Sequence, residues 1–270
     1  MKIDQIEIER IRSKKGFLCD MDGVIYHGNR LLNGVKDFVD WLNRENKKYL
    51  FFTNSSEYTP RELQQKLIRL GIEVGEEHFY TSALATAAFI KNQAPEGRGC
   101  SAYVIGEAGL MNALYNAGIY MNDINPDYVV VGESRMGYNY QSILKAVKLV
   151  QKGAHLIGTN SDLTGPDEDG IIPACRAFMA PIELTTGKKA YYVGKPNPLM
   201  MRNGRRILGC SSEETAIIGD RMDTDIISGL EAEIDTILVL SGVSTRETVK
   251  EFSYAPNYIF DDIRFITANL

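Results

Sequence analysis

Residues 17–26 read FLCDMDGVIY, in which a short apolar run ends in two acids. Asp20 and Asp22 stand one residue apart behind the apolar run, and Gly23 follows them. An ionised carboxylate at the end of a buried strand is costly unless a bound group or a partner compensates its charge. The stretch therefore predicts a buried strand whose end binds a group or takes part in a reaction.

Short apolar runs alternate with helical patterns along the whole chain. GFLCD is followed by VKDFVDWLNREN, in which four apolar residues recur at helical spacing, and then by KYLFFTN. The stretch TPRE at 59–62 is typical of a capped helix start, and that helix should end near Gly71. Strands that alternate with helices favour a parallel sheet joined by crossover helices.

The two ends of the chain resemble halves of one sheet, with a second α/β region between them. We predict a core of residues 1–82 and 190–270, which includes an N-terminal extension over 1–15, and an inserted domain over 83–189. The predicted fold class is therefore α/β: a Rossmann-like parallel-sheet core with a large inserted α/β domain.

Polar residues follow four of the predicted strands. They are Asp20 and Asp22 after FLC, Thr53, Asn54 and Ser55 after LFF, Lys195 after YYVG, and Asp220, then Asp223 and Asp225 after AIIG. The carboxyl ends of parallel strands share one edge of the sheet, and ligands of open α/β sheets bind beyond that edge. We therefore expect these groups at one rim.

The acids of this rim suit a hard divalent cation, and Mg²⁺ is the natural occupant of a site built from oxygen ligands. Beside the cation, an ionised Asp20 could attack a phosphoryl group and form an aspartyl-phosphate. Lys195, Thr53 and the backbone N–H of Asn54 are suitable partners for the phosphoryl oxygens. Asp22 would protonate the leaving oxygen and later deprotonate the hydrolytic water.

Four motifs in this order, DMDG, TNSS, GKP and GDRMDTD, resemble those of the haloacid dehalogenase (HAD) superfamily of phosphohydrolases. The stretches VGKPNP, IIGDRMDTDI, TILVLSGVS and FYTSALATA are similar to its NagD-like subfamily, which includes nucleotide, pyridoxal phosphate, phosphoglycolate and 4-nitrophenyl phosphate phosphatases. The resemblance covers nearly everything from Gly16 onward. It implies that the insert over 83–189 is the larger cap domain of this superfamily.

Carried over position by position, the resemblance implies a metal site and a phosphoryl site. Mg²⁺ would be held by the Asp20 carboxylate, the Asp22 backbone carbonyl and Asp220. The residues implied to bind the phosphoryl group are Thr53, Asn54, Ser55 and Lys195. Asp225 would act behind them by orienting the metal waters or Lys195.

The predicted cap contains GTNSDLTGPDEDGIIPAC, at the position of the specificity loop in this superfamily. Family members commonly read TNPD there, whereas this chain has Ser161. We expect Asn160 to lie near the substrate. The acidic run over 162–169 leaves two alternatives open: a solvated loop, or a contact that disfavours highly anionic substrates.

The resemblance implies a Mg²⁺-dependent phosphatase that hydrolyses small-molecule phosphate monoesters through an aspartyl-phosphate. A nucleoside monophosphate such as UMP is the substrate suggested by resemblance, and sugar phosphates and pyridoxal phosphate stay open. One alternative is a phosphotransferase or mutase that passes the phosphoryl group to a sugar hydroxyl. Another is a non-catalytic phosphometabolite-binding protein. The intact set of Asp20, Asp22, Lys195 and Asp220 disfavours it, because binding alone does not require the nucleophile and the acid together.

The composition of the chain indicates which classes of partner and which cell compartment to expect. A net charge of −5 gives no electrostatic footprint for nucleic acid or an anionic membrane. No segment approaches membrane-spanning length, and the four cysteines are scattered without zinc-like spacing. We expect a cytoplasmic protein with a small phosphate monoester as its partner, without nucleic-acid or membrane partners, as a monomer or a homodimer through the cap.

Overall fold

The computed structural model describes residues 5–94, 99–135, 137–167 and 170–268. The chain forms two compact units. The first unit comprises Met1–Thr53, Gln64–Tyr80 and Met200–Leu270. The second unit comprises Asn54–Leu63 and Thr81–Leu199. The second unit thus interrupts the first in sequence, and the predicted domain boundaries after residues 82 and 189 stay a prediction.

The described residues form strands of two to six residues. In chain order they are β1 (Gly16–Cys19), β2 (Tyr26–His27), β3 (Arg30–Leu31), β4 (Lys48–Thr53), β5 (Phe79–Thr81), β6 (Ser101–Ile105), β7 (Tyr120–Met121), β8 (Tyr128–Val131), β9 (His155–Gly158), β10 (Thr164–Asp167), β11 (Gly170–Pro173), β12 (Tyr191–Tyr192), β13 (Thr215–Gly219), β14 (Asp235–Val239) and β15 (Tyr258–Phe260).

Helices connect most of these strands. In chain order they are α1 (Gln5–Arg12), α2 (Val35–Arg44), α3 (Pro60–Arg69), α4 (Ser82–Gln93), α5 (Ala108–Asn116), α6 (Tyr140–Gln151), α7 (Cys175–Thr186), α8 (Pro198–Leu208), α9 (Ile227–Glu231) and α10 (Arg246–Val249). Short 3₁₀ turns cover Glu76–His78 and Ile263–Ile266, and a π-helical turn over Met222–Ile226 leads into α9. Among the described residues, no helix combines the length and apolar character that crossing a bilayer requires.

The six-stranded sheet of the chain has the order β15-β14-β13-β1-β4-β5. Strand β1 lies between β13 and β4 and pairs with both in parallel. Its last residue, Cys19, pairs with Ile218 on one side and with Phe51 on the other. Because the three strands run in the same direction, their carboxyl ends lie side by side in the first unit.

Helix α2 packs its apolar stripe into the first unit. Phe38, Trp41 and Leu42 are buried, and Trp41 packs edge-on against Phe17 of β1 with 5.6 Å between the ring centroids. Burying side chains of this size stabilises the fold by roughly 1.5–3 kcal/mol each. Helix α2 and its packing thus anchor β1, the strand that leads to Asp20.

The second unit has its own parallel sheet, with the order β12-β9-β8-β6-β7. Alternate residues of β8, Val129 and Val131, lie in a core cluster with Met179 and Ile182 of α7. Strands β10 and β11 form a separate antiparallel hairpin. With parallel sheets in both units, the predicted α/β fold class is confirmed.

The N-terminal extension packs within the first unit. Ile8 and Ile11 of α1 are buried, and Arg12 donates through Nε to the Ile266 carbonyl at 2.8 Å. Arg12 also donates through Nη2 to the Ala268 carbonyl at 2.8 Å. These bonds join the two ends of the chain through main-chain acceptors, so α1 contributes to the fold of the first unit.

Candidate active site

Three buried carboxylates lie together in the first unit. Asp20 follows β1 and Asp220 follows the neighbouring β13, while Asp225 lies in the π-helical turn beyond β13. One carboxylate oxygen from each residue lies within 4.8 Å of the others, and the exposed fractions of the three residues are 8%, 2% and 0%. Parallel pairing of β1 with β13 explains why acids 200 positions apart in the sequence meet.

Glycines make room for these acids. Gly23 has a φ of +79°, and a Cβ at that position would lie 2.5 Å from Oδ2 of Asp220. A Cβ on Gly242 would also overlap the Asp220 carboxylate, and one on Gly219 would overlap the side chain of Asp225. The glycine behind the two acids of DMDG is therefore required by the packing of a third acid as well as by the left-handed turn.

Backbone groups hold the acids in place. Oδ2 of Asp220 accepts a hydrogen bond from the Val243 amide at 2.7 Å, and Oδ2 of Asp225 accepts one from the Arg221 amide at 3.1 Å. Ionised carboxylates repel one another strongly when they are buried side by side. A set of three buried carboxylate oxygens is the donor set that Mg²⁺ or Ca²⁺ binds, so the first unit fits a divalent cation.

Asp22 and Thr53 border the same strand ends. Asp22 is half-buried and lies in the loop after β1, where its backbone bridges to Tyr26. Its carboxylate is not among the clustered oxygens found in the described residues. Thr53 is the buried last residue of β4, the other parallel neighbour of β1.

The thiol beside Asp20 does not compete as a nucleophile. Burial, with the negative charge of Asp20 as a smaller cause, raises the pKa of Cys19 far above its ordinary value. A thiol in that state stays protonated at neutral pH and is a poor nucleophile. The Cys19 thiol therefore does not rival the neighbouring Asp20 carboxylate, for which the nucleophilic role stays a prediction.

A second predicted group of site residues lies in the second unit. Oδ1 of Asn54 accepts from the Lys195 amide at 2.7 Å, and Nδ2 of Asn54 donates to the Lys195 carbonyl at 2.9 Å. Lys195 is 2% exposed, and a Cβ on the preceding Gly194 would lie 2.7 Å from Oδ1 of Asn54. The side chain of Asn54 therefore fixes the main chain of Lys195, which is a role that its sequence motif does not reveal. Ser55 is half-buried beside it.

Asn160 is fully buried in the second unit. Its Nδ2 donates to the Asn54 carbonyl at 2.8 Å, and its Oδ1 accepts from the Asp162 amide at 3.1 Å. Oδ2 of Asp162 in turn accepts from Nδ2 of Asn54 at 3.0 Å. The expected substrate contact of Asn160 stays a prediction, and the structure shows its amide bonded to protein groups. Of the acidic run, Glu168 and Asp169 lie outside the described residues.

Sequence reasoning missed Glu133, which bonds to both Ser56 and Asn160. It follows β8 in the stretch YVVVGESR. The signal that could have found it was its place after an apolar run, the criterion that selected the other site residues. Its partners lie 77 and 27 positions away in the sequence, so no local pattern connects them.

Comparisons with known proteins agree with this geometry. Residues 17–120 match the model of the haloacid dehalogenase-like hydrolases, and residues 192–265 match a HAD-hydrolase-like model. A solved structure, the 4-nitrophenylphosphatase from Thermotoga maritima, superposes with a TM-score of 0.88 at 32% identity and covers 94% of this chain and 96% of its own. The fold and the acid cluster thus define a hydrolase of the HAD class.

Two curated relatives match almost the whole chain. The dihydroxyacetone phosphatase of Corynebacterium glutamicum (strain R) is 43% identical over 247 residues, which are 92% of this chain and 88% of the relative. The ribonucleotide monophosphatase NagD of Escherichia coli (strain K12) is 40% identical over 249 residues, which are 92% of this chain and 96% of the relative. The chain therefore belongs to the haloacid dehalogenase-like hydrolase family, and the predicted family is confirmed.

Proposed function

We propose that this chain hydrolyses small-molecule phosphate monoesters in two steps, through an aspartyl-phosphate on Asp20, with Mg²⁺ as its metal. The observation that carries the proposal is the buried cluster of Asp20, Asp220 and Asp225 at the strand ends of a HAD-family hydrolase. The relatives are named as phosphatases, which confirms the predicted enzyme class, a phosphoric monoester hydrolase.

The first step transfers the phosphoryl group to the protein. A carboxylate oxygen of Asp20 attacks phosphorus, and the bond from phosphorus to the ester oxygen breaks. The departing oxygen takes the proton of the Asp22 carboxyl group and leaves as an alcohol. The position of Asp22, half-buried two residues after Asp20 in the loop that follows β1, supports this role.

The second step returns Asp20 to its starting state. The Asp22 carboxylate takes a proton from water, and the resulting hydroxide attacks the phosphorus. The bond between phosphorus and Asp20 then breaks and inorganic phosphate leaves. Asp22 thus serves first as the general acid and then as the general base, while Asp20 is the nucleophile. This division of roles would explain why DMDG contains two aspartates.

The metal site would use the Asp20 carboxylate, the Asp22 backbone carbonyl and Asp220, with Asp225 orienting the groups around it. A bound Mg²⁺ would offset the repulsion between the attacking carboxylate and the anionic phosphoryl group. Asp225 supports this assignment because its carboxylate belongs to the same buried cluster.

The phosphoryl oxygens would be bound by Thr53, the Asn54 amide, Ser55 and Lys195. The burial of Lys195 supports its part, because a positive charge acts most strongly where water is excluded. The clamp between the Asn54 side chain and the Lys195 main chain supports it further, since two of the four groups are thereby held in fixed relation.

The relatives' names suggest two substrate classes for this chain: small sugar phosphates such as dihydroxyacetone phosphate, and ribonucleoside monophosphates such as UMP. A panel of these esters and 4-nitrophenyl phosphate, ranked by kcat/KM, tests the proposal. Release of phosphate and alcohol in equal amounts supports hydrolysis. Transfer of phosphate to an added sugar hydroxyl would instead identify a phosphotransferase, and binding without turnover a phosphometabolite-binding protein.

Three further expectations stay predictions. They are the cytoplasmic location, the absence of nucleic-acid and membrane partners, and the assembly as a monomer or as a homodimer through the cap.

Removal of divalent cations should abolish turnover, and Mg²⁺ should restore it. In Asp220→Asn we expect the Mg²⁺ concentration for half-maximal activity to rise at least about 10- to 100-fold, because a buried ligand loses its charge. Asp223→Asn is the matched control, since the exposed Asp223 carboxylate pairs with Arg221 in the same loop. A chelated enzyme with full activity, or equal metal dependence in the two variants, would contradict the assigned metal site.

A further inference from the structure

A polar network in the second unit has no part in the reaction steps given above. It surrounds the segment Asn54–Ser56, which we call the strap, and it contains Glu133 and Asn160. Networks of this kind hold a single arrangement when each member is hydrogen-bonded. The strap includes the Asn54 amide and Ser55, so whatever holds the strap also places two of the proposed phosphoryl-binding groups.

Glu133 bonds to the far end of the strap with one oxygen and to Asn160 with the other. Its Oε2 accepts from the Ser56 amide at 3.2 Å and makes a short hydrogen bond with the Ser56 hydroxyl. Its Oε1 accepts from Nδ2 of Asn160 at 2.5 Å. A Cβ on the preceding Gly132 would lie 2.5 Å from Oγ of Ser56, so this approach requires glycine. Hydrogen bonds to an ionised carboxylate are about twice as strong as neutral ones.

Asn160 carries the connection to the near end of the strap. The same Nδ2 that bonds to Glu133 also donates to the Asn54 carbonyl at 2.8 Å. That carbonyl also accepts from the Ser82 hydroxyl at 2.5 Å. The strap is thus held at its first and third residues by groups that converge on one carboxylate.

We propose that Glu133 is a positioning residue, which acts through Ser56 and Asn160 to set the strap and does not touch the substrate. This inference rests on the proposed function, in which the Asn54 amide and Lys195 bind the phosphoryl group. The Asn54 side chain is bonded to the Lys195 main chain, so a displaced strap displaces both groups. A misplacement of about 1 Å in such a site costs on the order of 100-fold in rate.

Glu133→Gln tests the proposal with little change in shape. The glutamine side chain has one acceptor oxygen where the carboxylate has two. Its NH₂ group must therefore face either the amide and hydroxyl donors of Ser56 or the Nδ2 donor of Asn160, and it cannot accept from them. We expect kcat/KM to fall about 10- to 100-fold, mostly in kcat, because phosphoryl-binding groups act most strongly in the transition state. The factor should be the same for 4-nitrophenyl phosphate, UMP and dihydroxyacetone phosphate, since the strap serves the group they share.

Glu183→Gln is the matched control. Glu183 accepts from the Ala190 amide at 2.8 Å and from the Tyr192 hydroxyl at 3.2 Å, so it too binds a main-chain amide and a side-chain hydroxyl, elsewhere in the second unit. We expect Glu183→Gln to keep the wild-type kcat/KM. Thermal melting of both variants separates a loss of folded protein from a loss of rate per folded molecule.

Ser56→Ala provides a second variant that removes the hydroxyl and leaves the carboxylate. It should lower kcat/KM for all three esters by a common, smaller factor, and its effect should be less than multiplicative with that of Glu133→Gln. If Glu133→Gln does not fold, Ser56→Ala decides alone, and wild-type kcat/KM in it would overturn the inference.

Two further results would overturn the inference while leaving the proposed function intact. One is a folded Glu133→Gln with wild-type kcat/KM, and the other is a loss confined to one ester, which would indicate contact with the leaving group. By contrast, a wild-type protein that releases no phosphate from any of the three esters with Mg²⁺ present would overturn both.

Discussion

Replacing Asp20 by Asn should abolish phosphate release, with kcat lowered roughly 10⁴- to 10⁶-fold, the range for removal of single residues from a catalytic unit. An amide oxygen is a weak nucleophile, so the aspartyl-phosphate cannot form. The variant should fold, because it removes one of three buried like charges that repel one another. Turnover of 4-nitrophenyl phosphate with saturating Mg²⁺ measures the effect.

Asp40→Asn controls for the substitution itself, since Asp40 is exposed on α2 of the same unit. It should retain wild-type turnover. An Asp20→Asn protein that keeps the wild-type melting temperature and more than a small fraction of wild-type kcat would contradict the role of Asp20.

Replacing Asp22 by Ala should lower activity by a factor that depends on the leaving group. For an alkyl phosphate such as dihydroxyacetone phosphate, we expect kcat/KM to fall about 10²- to 10⁴-fold, the usual contribution of a general acid. For 4-nitrophenyl phosphate the fall in kcat/KM should be smaller, because the nitrophenolate leaves without a proton. The kcat for 4-nitrophenyl phosphate should still fall, since the second step needs Asp22 as the base.

Steady-state and rapid-mixing kinetics with the two esters measure this difference. With 4-nitrophenyl phosphate the Asp22→Ala variant should release a burst of nitrophenol before a slow steady state. An equal loss of kcat/KM for both esters, with no burst, would contradict the assignment of Asp22 as the acid and base.

The meeting of Asp20 with Asp220 could be predicted from the sequence because it depends on few rules. Each acid ends a short apolar run, and alternation with helices favours a parallel sheet, whose carboxyl ends share an edge. The start of α3 could be predicted for a similar reason. Its capping residues are local: the Thr59 amide donates to Glu62 at 2.8 Å, and the Glu62 amide donates to Thr59 at 3.2 Å.

The roles of Asn54 and Glu133 could not be predicted, because their partners are far apart in the chain. Asn54 bonds to a residue 141 positions away, and Glu133 to one 77 positions away. Such contacts depend on how loops from different strands pack. Neither the spacing of apolar residues in the sequence nor the composition determines that packing. The place of Asp225 could be predicted only in part. Its motif indicated a role behind the metal site, but only the structure shows its carboxylate within the cluster.

The central claim, a covalent aspartyl-phosphate on Asp20, can be tested by trapping it. The Asp22→Ala variant, whose second step is slowed, is quenched in acid during turnover of 4-nitrophenyl phosphate with Mg²⁺ and then reduced with borohydride, which converts an aspartyl-phosphate to homoserine. Peptide mass spectrometry should find homoserine at residue 20 and none there in Asp20→Asn. An unmodified residue 20 in protein that is releasing nitrophenol, or modification at another residue, would contradict the account.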